Sequence, residues 1–288
     1  MSEPAFHQDK PKFPTDPGLY PRIPDDQYHR WPYAAQSILK ILRDQTPAHA
    51  KQAMDHPSEP TPALRLGSAV HMAFLQPELF SSSYVSAPSV DRRTKEGKAA
   101  WESFIQENVG RTVLTAGEMA QCLAVRESVA AHPTARKLLE GDAELSAIWQ
   151  DSDTGVWCKG RFDKVSRGIG AITDLKTTRD ASPRSFTRSI WSYGYYIQAA
   201  HYLQGARALG IPAEFFTIIA VEKEPPYCVA VYHIRGEAVE AGLRELKPLL
   251  EIYAHCEESG VWPGFPPEAV EIDLPRYAYF ELESEEIA

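Results

Sequence analysis

The sequence predicts an α/β protein with a mixed sheet, and three observations carry that expectation. The chain has 288 residues and 43% hydrophobic content, enough to bury the core of one large domain. Its hydrophobic periodicity changes along the way, giving helices, three strands, a helix, two strands and a last helix. An apolar run, Ala171-Ile172-Thr173, also ends in Asp174-Leu175-Lys176. On a strand, residues two apart share a face, so Asp174 and Lys176 enter one pocket while Leu175 packs behind.

The elements follow in order. The first thirty-two residues hold seven prolines and few aliphatics. Residues 1–30 therefore read as a flexible, extended arm ahead of a single domain over 31–280. Helices are expected at 33–43, 63–75 (ending before Pro77), 95–107 and 115–131. Thr115 with Glu118 three residues on forms a capping-box pattern for the last of these. Strands are expected at 144–150 and 156–166 around the turn Asp153-Thr154-Gly155, and a third at 171–177 after Gly168 and Gly170. One long helix, 183–209, closes at Gly210 and Pro212; strands at 215–222 and 227–234 and a helix at 237–257 complete the domain. Residues 281–288 form an acidic tail, and no internal repeat is evident.

Composition narrows the function class. No apolar run approaches the roughly 18 residues of a membrane span, and the N-terminus MSEPAFHQDKPKF lacks a signal-peptide core, so a cytoplasmic location is expected. Cys122, Cys158, Cys228 and Cys256 lie far apart with no Cys-x-x-Cys pair, which disfavours zinc, iron–sulfur and disulfide roles. The net charge of −9 is unexpected for a nucleic-acid binder. A carboxylate cluster that holds a metal contributes negative charge of its own.

Several residues carry possible chemistry. A carboxylate that holds Mg²⁺ beside a lysine that handles a water supplies most of what phosphodiester hydrolysis needs, which gives Asp174 and Lys176 their interest. His71 lies in the small-residue helix Gly67-Ser68-Ala69-Val70-His71; a lone histidine there is most often a core residue, although Gly67 on the same face permits close backbone approach. Strand alternation puts Lys159, Arg161 and Asp163 on one face, either as a solvated surface or as a second metal carboxylate with bases that meet phosphate. If the hairpin centres on Asp153-Thr154, Glu144 lies directly across from Asp163; a one-residue slip would separate them. Gln198 and Tyr202 share a helix face, within an aromatic stretch (Trp191, Tyr193, Tyr195, Tyr196) that mostly reads as packing. Basic residues cluster at Arg92, Arg93, Lys95 and Lys98, and again at Arg179, Arg184 and Arg188. Such clusters are usually solvated, but their positions suit phosphate contacts.

In this order the motifs resemble a known family. Gly67-Ser68-Ala69-Val70-His71, Asp91-Arg92-Arg93-Thr94-Lys95-Glu96-Gly97-Lys98, Thr154–Asp163, Asp174-Leu175-Lys176-Thr177-Thr178 and Gln198-Ala199-Ala200-His201-Tyr202 together look like the nuclease domain of RecE (exodeoxyribonuclease VIII), within the PD-(D/E)xK superfamily. The resemblance spans about residues 28–280. It implies a restriction-endonuclease-like core, a central mixed β-sheet flanked by helices. It also implies a metal-dependent exonuclease that degrades linear double-stranded DNA 5′ to 3′ in phage-type recombination, partnered by a single-strand annealing recombinase and assembled as a ring-like homo-oligomer. Carried over by position, His71, Asp163 and Asp174, with the Leu175 carbonyl, would ligate Mg²⁺ or Mn²⁺. Lys176 would position or activate the attacking water. Gln198 and Tyr202 match the family's Gln-x-x-x-Tyr motif, and Arg92, Arg93, Lys95, Lys98, Arg161 and Arg179 would meet DNA. The missing cysteine spacing separates the chain from iron–sulfur relatives of the Cas4 and AddB type. The alternatives are a same-fold nuclease of other polarity, an endonuclease, or a catalytically silent DNA-binding module.

Overall fold

The computed structural model describes residues 13–57 and 61–279. Strands are β1 (Gly18–Pro21), β2 (Ala34–Ala35), β3 (Tyr84–Ser86), β4 (Thr112–Leu114), β5 (Asp142–Gln150), β6 (Trp157–Ser166), β7 (Ala171–Thr178), β8 (Phe215–Glu222) and β9 (Val229–His233). Helices are α1 (Asp25–His29), α2 (Gln36–Asp44), α3 (Pro47–Asp55), α4 (Pro62–Leu75), α5 (Pro77–Ser83), α6 (Lys95–Glu107), α7 (Ala116–Ala131), α8 (Pro133–Leu138), α9 (Pro183–Ser192), α10 (Tyr195–Ala208) and α11 (Gly236–Ser259). The expected capping box opens α7: the Glu118 N–H donates to Thr115 Oγ1, and the Thr115 N–H donates to the Glu118 carboxylate at 2.7 Å.

A mixed sheet runs in the order β1-β5-β6-β7-β8-β9, with β2 also paired to β6. The β7–β8 pair is parallel; β1–β5, β5–β6, β6–β7 and β8–β9 are antiparallel. Helices cover both faces. Leu39, Phe186, Ile197, Leu246 and Tyr253 pack with Trp149, Phe162, Ile172 and Phe216 on one side. On the other, Val70, Val125, Val129 and Leu138 pack with Leu175, Ile219 and Val221. Each side buries apolar area from α10 and α11, or from α4 and α7, and this two-sided burial is what holds the layers together.

Sheet pairing creates the site. The β6–β7 ladder covers only Lys164↔Thr173, Val165↔Ile172 and Ser166↔Ala171. Farther back along β6, β2 pairs with Cys158 and Lys159. Residues 160–163 therefore lie between the two ladders, where the sheet opens. The β5–β6 register is that of a turn centred on Asp153-Thr154, with Leu145↔Phe162 and Ser146↔Arg161. Glu144 thus comes opposite Asp163, with a left-handed backbone (φ 50). Phe162 and Val165 join the same core cluster although an odd number of residues apart, so the pleat's alternation also breaks here in β6.

Two expectations are revised. The described part of the proline-rich arm is not free: β1 pairs with β5, and Tyr28 and Trp31 are buried with Tyr33 and Ile148. The Lys159 ammonium clamps this segment by donating to the carbonyls of Tyr28 (3.0 Å), His29 (3.3 Å) and Trp31 (2.7 Å). The expected helix 183–209 is two helices, because Gly194 takes a left-handed conformation (φ 67) between α9 and α10. The acidic tail over 281–288 and the first twelve residues lie outside the described residues. No described helix is long and apolar enough to cross a membrane.

Candidate metal and nuclease site

Three elements converge at the opening in the sheet. Helix α4 brings His71, β5 brings Glu144 and β6 brings Asp163, and one donor atom of each lies within 4.8 Å of the others. His71 Nδ1 stands 3.4 Å from Asp163 Oδ2. The same oxygen accepts the Leu175 N–H at 2.8 Å, which ties β6 to β7 just past the end of their ladder. Gly67 plays no part in close packing, since a Cβ there would meet nothing within 4 Å. The histidine reaches the site by its place on α4, not through backbone approach at Gly67.

Asp174 lies beside this group, on β7. Gln198 Nε2 donates to Asp174 Oδ1 at 2.7 Å, in a buried contact. Asp174 Oδ2 lies 2.7 Å from Lys176 Nζ, so the carboxylate is held by the amide on one oxygen and by the ammonium on the other. Lys176 Nζ also sits over the Tyr195 ring, 5.0 Å from its centroid. Tyr202, one turn beyond Gln198, is buried and packs edge-on against Phe162 at 5.0 Å. Burial holds its phenol well above the usual tyrosine range, and so protonated. Tyr195 lies i, i+3 from Gln198 on α10, a spacing that marks it as a neighbour of the site, although the sequence reads it only as packing.

Electrostatics favour cation binding. Burial, and then the charge of Asp163, push Glu144 up to about 8. Burial, and then Asp174, raise Asp163 to about 6, partly offset by His71 and Lys176. Like carboxylates held together out of water repel, and a divalent ion relieves that repulsion. Burial pushes the Lys176 ammonium down, but Asp174 and Asp163 override it and leave it above the usual lysine value. Lys176 thus offers N–H donors to a water or phosphoryl oxygen. The donor set of two carboxylates and an imidazole suits Mg²⁺ or, with its nitrogen, Mn²⁺. Ligands at about 2.1 Å from an ion lie at most about 4.2 Å apart, so small side-chain shifts from the observed spacing suffice.

The basic residues divide. Arg161 is committed within the fold: it donates to the Asp25 carboxylate, to Ser146 Oγ at 3.2 Å and to the Ile23 carbonyl at 3.0 Å, over the Tyr28 ring. It lies 4.0 Å from Glu144 Oε2 and links the N-terminal segment to the site instead of facing phosphate. Arg92, Arg93, Lys95, Lys98 and Arg179 are exposed, with Arg92 lying over Trp101.

With this geometry in place, comparison with known proteins is informative. The model of a family described as a PDDEXK-like domain of unknown function (DUF3799) matches residues 35–272. The chain belongs to this PDDEXK-like family. A structure search finds a crystal structure from Eubacterium rectale named as a "putative exonuclease", 15% identical, with a TM-score of 0.59. The match covers 90% of this chain and 98% of that one, and at this identity the likeness shows the fold. No curated protein matches the sequence. The chain is thus a PDDEXK-like, nuclease-type domain, a fold that generally uses divalent metals, and the cluster at His71, Glu144 and Asp163 is its candidate ion site.

Proposed function

We propose that this chain is a Mg²⁺- or Mn²⁺-dependent exodeoxyribonuclease that degrades linear double-stranded DNA from its ends. One observation carries the reading: His71, Glu144 and Asp163 converge within 4.8 Å, beside the Asp174–Lys176 pair. A bound divalent ion would polarise the phosphoryl oxygen and lower the pKa of a water. The chain's own residues do the rest. Glu144, Asp163 and Asp174 supply the negative charge that binds the ion, and His71 adds an imidazole nitrogen donor. Gln198 fixes the Asp174 carboxylate, and Lys176 directs N–H groups at the attacking water. Water attack at phosphorus breaks the bond to the 3′-oxygen, leaving a 5′-phosphate and a 3′-hydroxyl.

The resemblance to the RecE nuclease domain supports 5′ to 3′ polarity, a role in recombination beside a single-strand annealing protein, and a ring-like homo-oligomer. The exposed Arg92, Arg93, Lys95, Lys98 and Arg179 are suited to phosphate contacts. The test is digestion of end-labelled linear duplex and of circular duplex with Mg²⁺. Early release of the 5′ label with the circle intact is expected. Loss of the circle would indicate an endonuclease, and inertness toward both with Mg²⁺ and Mn²⁺ would overturn the nuclease reading.

A further inference from the structure

An aromatic row leads from Lys176 to the surface. The Lys176 ammonium lies 5.0 Å from the centroid of the Tyr195 ring, and Tyr195 stands 5.6 Å from Tyr193 at an interplanar angle of 34°. Tyr193 is 54% exposed, and Lys40 of α2 holds its Nζ 5.4 Å from the Tyr193 centroid. An exposed tyrosine thus stands between the Lys176–Tyr195 pair and a second cation. The left-handed Gly194 fixes the turn that presents it, and a Cβ there would strike the Arg43 guanidinium at 2.8 Å.

We infer that Tyr193, with Lys40 beside it, forms a stacking subsite for an unpaired nucleobase adjoining the phosphate cleaved at the Asp174–Lys176 site. The inference rests on the nuclease reading. An aromatic ring stacks with any base, and a neighbouring cation meets the phosphate that accompanies it, which is the usual chemistry of single-strand recognition. Such a subsite separates the terminal base from its complement and guides one strand toward Lys176. Trp191 is the contrasting case. It is 70% exposed, but it stacks on Tyr196 at 5.5 Å, and Tyr196 donates to the Glu245 carboxylate. That second row ends on Tyr196, which is already held by Glu245 and Arg43, and it makes no contact with Lys176.

The experiment compares wild type, Tyr193→Ala, Tyr193→Phe and Trp191→Ala on duplexes with blunt or splayed three-nucleotide ends and Mg²⁺. Stacking on one base should be worth about tenfold. Tyr193→Ala should therefore lose about tenfold in its preference for the splayed end, while Tyr193→Phe and Trp191→Ala keep it. An unchanged preference in Tyr193→Ala, or an equal loss in Trp191→Ala, would overturn the subsite. A second readout separates this outcome from failure of the nuclease reading: binding of a 2-aminopurine-containing single strand in EDTA. Fluorescence quenching by wild type and Tyr193→Phe but not Tyr193→Ala supports the subsite even if nothing is cleaved. Equal quenching by all three overturns it.

Discussion

The Leu175 N–H donates to Asp163 Oδ2 at 2.8 Å, although the ladder between their strands ends at Lys164↔Thr173. A carboxylate thus takes the place of a backbone acceptor where β6 and β7 part, and the same oxygen stands 3.4 Å from His71 Nδ1. One side chain both closes the sheet and faces the candidate ion site.

This dual position separates fold from chemistry. Asp163→Asn keeps an oxygen that accepts from Leu175 but removes the charge. The variant should melt close to wild type and lose roughly 10³-fold or more in Mg²⁺-dependent cleavage. A thermal melt beside a duplex digestion checks both parts, and near-normal cleavage would remove Asp163 from the mechanism.

Gln198 acts through Asp174. Its donation at 2.7 Å orients a carboxylate whose other oxygen pairs with the Lys176 ammonium. Replacing such a supporting donor typically costs about 10–100-fold in activity or metal affinity. Gln198→Leu should show that loss in a metal titration of the rate, without gross unfolding.

The cluster's protons compete with the ion. Glu144 is pushed up to about 8 and Asp163 to about 6, by burial first and by neighbouring carboxylates second. At neutral pH the site therefore holds a proton that must leave when an ion enters. Mn²⁺ affinity measured calorimetrically should rise between pH 6 and pH 8, with proton release at pH 7. A flat profile would show that these carboxylates do not bind the ion.

His201 gives the opposite dependence, in stability. It is buried, its Nε2 meets the Lys159 carbonyl at 3.1 Å, and burial lowers its pKa to about 4. The unfolded chain takes up this proton near pH 6.5, and the folded chain only near pH 4. Stability is therefore lost as pH falls through that window, on the order of 3 kcal/mol in full. Glu144 and Asp163, with raised values, favour the fold over the same fall, so wild type alone mixes the two signs. The stability difference between wild type and His201→Gln isolates the imidazole. It should shift by about 2 kcal/mol against wild type between pH 7 and pH 5 in urea titrations.

Much of this site was legible because it depends on local spacing. The turn at Asp153-Thr154 set the strand register, and with it the meeting of Glu144 and Asp163. The Asp-x-Lys of β7 and the i, i+4 spacing of Gln198 and Tyr202 likewise needed only one element's geometry. What escaped depends on distant partners. Arg161 reads as a free base on its strand, yet Asp25, 136 residues away, occupies it. The N-terminal segment is poor in aliphatics, but Lys159 and buried aromatics anchor it where hydrophobic patterning gives no sign. Gly194 falls inside the expected helix 183–209, and only its backbone angle reveals the break.

The most direct test is digestion of linear duplex DNA by wild type and Asp174→Ala, side by side, in Mg²⁺ and in EDTA. The account predicts digestion by wild type in Mg²⁺ alone, with Asp174→Ala inert in both yet still able to bind DNA. Digestion by Asp174→Ala at a rate near wild type would contradict it.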